Sequence, residues 1–343
     1  MNSKKVLVLF SGGLDSLLAV AVLQAQGLTV DVVCFVSNFF DCRNAKKAAE
    51  ANGIKIREVV DIGSEILDMV KDPEAKKGKN LNPCIDCHSL MIKKARQYIE
   101  SGEYAIIATG EVLGQRPFSQ TKRAMEQIEK NAGIRVLRPL SALKMEPTEP
   151  EQKGWIDRNK LLGIEGRGRK KQIELAIKYN LKEYESPSGG CLLTQGSFSQ
   201  RLSDMIKYWP DCEPRDVELL KRGRPLWFTL KDKKAEHYIL AVIGRRAEDN
   251  AGLYYGAEKG DLVMSLKELE GPLTLVRSKS YAFALEKTEY KIEVPAEEDD
   301  FEGAGNRVYK KEERMLEYQA LLTAWYKTQA RGRTVTVEVK KKQ

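Results

Sequence analysis

Residues 9–16 read Leu-Phe-Ser-Gly-Gly-Leu-Asp-Ser, after the apolar run Lys5–Phe10 and before the helical pattern Leu17–Gln26. That order is strand, glycine-rich turn, helix. Gly12 and Gly13 allow backbone angles closed to a side chain and let a ligand approach the main chain. The amides of the turn and of the first helical turn then point at one spot, where the helix dipole favours an anion. Ser11 and Ser16 add hydroxyl donors. Asp15 would repel a bare phosphate, but it suits a magnesium ion bridging phosphate oxygens. The plain alternative is an ordinary strand-to-helix turn, in which Gly-Gly followed by an N-capping residue is common.

The six residues Ser11-Gly-Gly-Leu-Asp-Ser16 resemble the PP-loop signature of the ATP pyrophosphatases. Enzymes of that superfamily cleave ATP between its α and β phosphates and adenylate a carbonyl or carboxylate oxygen. A Gly-x-x-x-x-Gly-Lys-Ser/Thr loop is absent, which disfavours phosphoryl transfer of the kinase or GTPase kind.

Apolar strand-like runs alternate with helical patterns: Lys5–Phe10, a helix to Gln26, Thr29–Val36, a helix over Arg43–Asn52, then Lys55–Val60. Glu103–Thr109 and Ile134–Leu137 supply two more strands. The alternation predicts an α/β fold with a doubly wound parallel sheet. Ligands in such sheets bind beyond the carboxyl ends of the strands, where Ser11–Ser16 and Gly110–Gln120 fall. From about Pro187 short β-type runs dominate, predicting a second, smaller, mostly β domain. The expected segments are a PP-loop domain over 1–186, a cysteine loop and helical connector over 187–223, a β domain over 224–295, and a linker, helix and basic tail over 296–343.

The chain carries 57 Lys and Arg against 49 Asp and Glu, a net +8, and 343 residues leave room for two cores. Basic clusters at Arg167–Lys171, Lys221–Arg224, Lys231–Lys234, Arg245–Arg246 and Lys340–Lys342 favour a polyanionic partner over solvated faces. Arg167, Arg169, Lys170, Lys171, Arg222 and Arg224 are the candidate nucleic-acid contacts. Asp15 interrupts the apolar start and argues against a secretory leader, and no run approaches a membrane span. Six cysteines in a chain of this size make a disulfide framework unexpected, and a reducing cytoplasm the default.

Cys84-Ile-Asp-Cys87-His88 opens a helical pattern ending near Glu100. The spacing sets two thiols on one side of the first turn, where amides and dipole lower a thiol pKa. Cys191 follows far downstream in Pro187-Ser-Gly-Gly-Cys191. Three cysteines are one short of the usual iron–sulfur set, leaving one iron open to an outside ligand. Cys84, Cys87, His88 and Cys191 would complete a zinc site. A redox dithiol or a mundane cysteine pair are the remaining readings. Cys34 reads as core packing, and Cys42 and Cys212 carry no spacing signal.

Thr109-Gly-Glu-Val-Leu-Gly-Gln-Arg-Pro-Phe-Ser-Gln-Thr121, with Val136-Leu-Arg-Pro-Leu140, resembles the tRNA 4-thiouridine synthase family, with one extra residue between Gln115 and Ser119. The cysteine pattern is similar to that of iron–sulfur-dependent tRNA thiolation enzymes, in which three cysteines hold a [4Fe-4S] cluster. The resemblance covers residues 1–195 and lacks the family's amino-terminal THUMP domain and a carboxy-terminal rhodanese domain. Residues Arg224–Lys279 are similar to the RNA-associated NFACT-R module.

The resemblance implies ATP and Mg²⁺ on Ser11, Gly12, Gly13, Asp15, Ser16, Thr109, Gly110, Glu111 and Gln115. It implies a cluster on Cys84, Cys87 and Cys191, with zinc as the alternative. A uridine carbonyl of RNA, tRNA by the resemblance, would be adenylated and then substituted by sulfur, with Asp15, Cys84 and Cys191 as the catalytic set. Sulfur would come from inorganic sulfide or from a cysteine desulfurase or carrier, held as hydrosulfide or as a persulfide on Cys191 or Cys84. The rival functions are an amide-forming or nitrogen-inserting PP-loop enzyme with structural zinc, and an RNA-binding protein with a vestigial nucleotide site.

Overall fold

The computed structural model describes residues 5–72, 80–184, 190–233, 235–297 and 307–343. Pro187–Gly189, Lys234 and most of the expected linker lie outside them. Two compact units divide the chain, Met1–Ser199 and Gln200–Gln343.

The first unit runs β1 (Lys5–Leu9), α1 (Leu14–Gln24), β2 (Thr29–Val36), α2 (Arg43–Ala51), β3 (Ile56–Asp61), α3 (Gly63–Lys71), α4 (Cys84–Glu100), β4 (Ile106–Thr109), α5 (Lys122–Ala132), α6 (Glu149–Gln152) and α7 (Lys170–Lys178). Its strands form a parallel sheet in the order β3-β2-β1-β4. Val6, Leu7 and Val8 are consecutive and all fully buried, so helices cover both faces as a parallel sheet requires. Val6 and Val8 join the core with Leu14, Leu17 and Leu18 of α1. The strand order reverses between β1 and β4, which pair Leu9 with Thr109 at their carboxyl ends. The crevice of such a sheet opens at that point.

Ile134–Leu137 departs from expectation. Only Leu137 pairs, through one bridge to Ala108. Val136 donates to the Glu129 carboxylate, and Pro139 supplies no donor to extend a ladder. Cys34 and Cys42 also depart from expectation: they are joined in a disulfide across eight residues, at the end of β2 and the start of α2. No sequence motif marked the pair, because it is the β2–α2 turn that brings the two thiols together.

The second unit contains α9 (Pro214–Leu220), β5 (Arg224–Lys231), β6 (Glu236–Ile243), α10 (Ala247–Tyr255), β7 (Leu262–Leu266), β8 (Leu273–Ser278), β9 (Glu289–Glu293), β10 (Arg307–Tyr309), α11 (Glu312–Trp325) and β11 (Thr334–Lys341). The helix α8 (Gly196–Tyr208) runs across the boundary. Seven strands form one sheet, and β11 lies hydrogen-bonded between β7 and β9. The α11 residues Met315, Leu316 and Ala320 fill its core with Phe228, Ile239 and Val337. Among the described residues, no helix is long and apolar enough to cross a membrane.

Candidate active site

The Ser11–Ser16 loop leaves β1 and enters α1 through Gly12, whose φ of +77° is left-handed. A Cβ there would lie 2.6 Å from the Ala45 backbone, so only glycine lets α2 close against the loop. Gly13 is the N-cap in ordinary extended backbone at φ −76°, so Gly12 alone of the two needs a glycine's backbone angles. The Ser16 hydroxyl turns back to the Gly13 carbonyl at 2.8 Å, and Gly13 N–H donates to Ser11 Oγ at 3.4 Å. Asp15 Oδ2 accepts from Gln115 Nε2 at 2.6 Å, while Oδ1 is buried without a partner.

Gly110 joins the two carboxyl-end loops. A Cβ on it would lie 2.5 Å from Ser16 N and 2.6 Å from the Asp15 carbonyl, so the loop after β4 rests directly on the first turn of α1. The next residue, Glu111, points into the protein. Its carboxylate accepts from Thr109 Oγ1 at 3.1 Å and Arg138 Nε at 3.0 Å, and meets His88 Nδ1 at 2.9 Å. Burial works to raise the Glu111 carboxyl, but Arg138 and His88 outweigh it and hold it at about 2. Arg138 is itself buried and also pairs with Glu129. Thr109 and Glu111, expected beside the nucleotide, thus spend their side chains on this buried network.

His88 belongs to α4, which opens at Cys84 and also carries Cys87. Burial pushes all three of Cys84, Cys87 and Cys191 up. Cys87 is raised further by Cys84 and Cys191, and Cys191, at about 11, further by Cys84. Both thiols at the helix start are therefore raised, by desolvation first, where the spacing predicted a lowering. The mutual influence brings Cys84, Cys87 and Cys191 into one neighbourhood across a long stretch of sequence. Among the described residues, no group of three His, Cys, Asp or Glu side chains is drawn round a metal position. His88 is held by Glu111.

The Cys191 segment is seated by Leu192 N–H on the Phe39 carbonyl at 2.9 Å, and Phe39 packs edge-on against Phe198. Phe39 lies in the loop that the Cys34–Cys42 disulfide closes. Asn80 Nδ2 reaches Thr194 O at 2.9 Å from the other side.

Sequence reasoning missed two groups. The His88–Glu111–Arg138 network is long-range, with no local signal. Gln172 had one: it sits at a polar break in the α7 stripe, four residues before buried Ala176. The expected RNA contacts lie in both units. Arg167, Lys170 and Lys171 are exposed, Arg169 and Arg222 half-buried, and Arg224 is stacked 4.2 Å from the Tyr326 ring centre.

Residues 1–148 match the family described as thiamine biosynthesis protein (ThiI). The tRNA-specific 2-thiouridylase MnmA of Treponema denticola is 33% identical over 138 residues, which cover 33% of this chain and 37% of the relative. The chain thus spans little more than a third of that relative's length. A 4-thiouridine synthetase solved with RNA and ATP aligns at 21% identity and TM-score 0.34, over 63% of this chain and 52% of its own. The U34-tRNA thiolase NcsA of Methanococcus maripaludis, solved with its [4Fe-4S] cluster, aligns at 19% identity and TM-score 0.30, over 64% of this chain and 71% of its own. In its first 148 residues this chain is similar to the ThiI family, and it resembles PP-loop enzymes of tRNA thiolation.

Proposed function

We propose that this protein is an ATP-dependent RNA sulfurtransferase that adenylates a uridine carbonyl, in tRNA, and replaces its oxygen with sulfur. The observation that carries the reading is a physical link between nucleotide loop and thiols. His88, on the helix that bears Cys84 and Cys87, is tied to Glu111, whose neighbour Gly110 rests on Asp15 and Ser16.

ATP lies with its phosphates on Ser11, Gly12, Gly13 and the first turn of α1, beside Gly110 and Gln115. The orphaned Asp15 Oδ1 fits a magnesium ligand: it is a hard, anionic, partnerless oxygen beside the phosphate cradle. The uridine oxygen bonds to the α phosphorus as the bond to the bridging oxygen breaks and pyrophosphate leaves. A hydrosulfide sulfur adds to the activated carbon. AMP departs with the former carbonyl oxygen, the proton goes to water, and the product is a thiocarbonyl. Cys84, Cys87 and Cys191 are an all-sulfur donor set that suits a [4Fe-4S] cluster, which when bound would present sulfide at an iron without a protein ligand. The base must be unstacked to be reached. Arg167, Arg169, Lys170, Lys171, Arg222 and Arg224 supply phosphate contacts.

Anaerobically reconstituted protein, given ATP, Mg²⁺, sulfide and unmodified tRNA, is expected to yield thiolated nucleoside and pyrophosphate. Asp15→Ala should abolish both. Pyrophosphate release without any thionucleoside, from iron-loaded protein, would overturn the assignment.

A further inference from the structure

Gln172 is fully buried in the first turn of α7, a helix packed on α1, and is not itself among the expected site residues. Its Nε2 donates to Gln115 Oε1 at 3.1 Å, and Gln115 Nε2 donates to Asp15 Oδ2 at 2.6 Å. Both amide orientations are forced. An ionised carboxylate only accepts, so Gln115 must turn its NH₂ to Asp15 and its oxygen to Gln172, which must then turn its own NH₂ to Gln115. The cost is visible: Gln172 Oε1 is buried with no partner. Leaving such a group without a partner is destabilising, and an apolar residue of the same length would avoid it. Buried orphans of this kind cluster where function outweighs stability.

We infer that Gln172 is a positioning residue for the metal–nucleotide site: it locks the Gln115 amide so that Asp15 Oδ2 is occupied and Oδ1 alone is presented to the cation. Freed of Gln172, the Gln115 amide can rotate. It then sets its oxygen against Asp15 or leaves the carboxylate to turn, and the metal oxygen is no longer defined. The inference rests on the reading of Ser11–Ser16 as a Mg–ATP site.

The test is equilibrium binding of Mn²⁺ with a non-cleavable ATP analogue to the full chain, followed by electron paramagnetic resonance, alongside thermal melting. Gln172→Met removes the donor at equal length. Gln172→Glu puts in a carboxylate to which Gln115 must donate, turning its oxygen on Asp15. Affinity for the Mn²⁺ complex should fall by up to about tenfold in Gln172→Met, the size of one hydrogen bond between neutral groups, and further in Gln172→Glu. Gln172→Met combined with Gln115→Met should bind no worse than Gln115→Met alone, because the first residue acts only through the second. A purely structural role predicts additive losses instead. Folded Gln172→Glu with wild-type affinity, or additive losses, would overturn the inference. A wild-type protein that does not bind the Mn²⁺ complex would instead remove the nucleotide-site reading on which it rests.

Discussion

Gly110→Ala puts one methyl group into the contact that joins the two halves of the crevice. The new carbon would start 2.5 Å from Ser16 N and 2.6 Å from both C and O of Asp15. Ordinary contacts of such a carbon begin near 3.4 Å, so the two backbones must part by about 0.9 Å. Neither can yield freely, because Leu9 and Thr109, just before the two loops, are already paired in the sheet. Overpacking of this kind costs about 1–3 kcal/mol, offset by about 0.4–1 kcal/mol from the stiffer unfolded chain. The larger effect falls on the reaction. A shift near 1 Å at Asp15 and the amides beside it can cost about a hundredfold in rate. Pyrophosphate release from Mg–ATP in the presence of tRNA measures that loss, and denaturant unfolding measures stability. Gly168→Ala is the control, since a methyl there meets nothing within 4 Å. Release within twofold of wild type in folded Gly110→Ala would refute the close approach.

Glu111→Gln should lower stability at neutral pH by up to about 3 kcal/mol, from a carboxylate held near 2 rather than 4.5. That contribution is complete above pH 4.5 and drains away as pH falls towards 2, so urea titrations of the two proteins should converge over that range. Cys84→Ala, Cys87→Ala and Cys191→Ala should each lower iron content after anaerobic reconstitution, while Cys212→Ala and His88→Ala retain it. Reduction of the Cys34–Cys42 bridge should cost about 2–3 kcal/mol through the short loop it closes, read as a shift in unfolding midpoint with and without reductant. RNA affinity should fall steeply with salt, and reversing charge at Arg167, Lys170 and Lys171 should flatten that slope in a filter-binding assay.

The first unit was legible because its signals are local. A strand, two glycines and a helix pattern place Ser11–Ser16 at the end of β1, and the Thr109–Gln120 run places Gly110 across the crevice. What stayed hidden depends on contacts between distant segments. Nothing near Glu111 in sequence reveals Arg138 or His88 as its partners, so it reads as a nucleotide contact rather than a buried junction. The raised cysteine thiols are also non-local in origin, because the helix start is visible in the sequence and the burial that raises them is not. Cys34 looked like core packing because its neighbours in β2 are apolar, and only the return of the chain at Cys42 gives it a partner.

The Glu111 junction has an evolutionary consequence. One carboxylate serves the strand end, the cysteine helix and a buried arginine, which itself also holds Glu129. Changing Arg138 alone leaves Glu111 to His88 and Thr109 and Glu129 to Arg135, and changing Glu111 alone leaves a buried cation with Glu129 only, at up to about 3 kcal/mol. Replacing the buried Glu111–Arg138 pair together with apolar side chains of similar volume removes both ends of that ion pair and costs less, with Glu129 left to Arg135. Drift at either position is therefore blocked until the other has moved. Among related chains, positions 111 and 138 are expected to change in concert or not at all, which a comparison of aligned sequences would test directly.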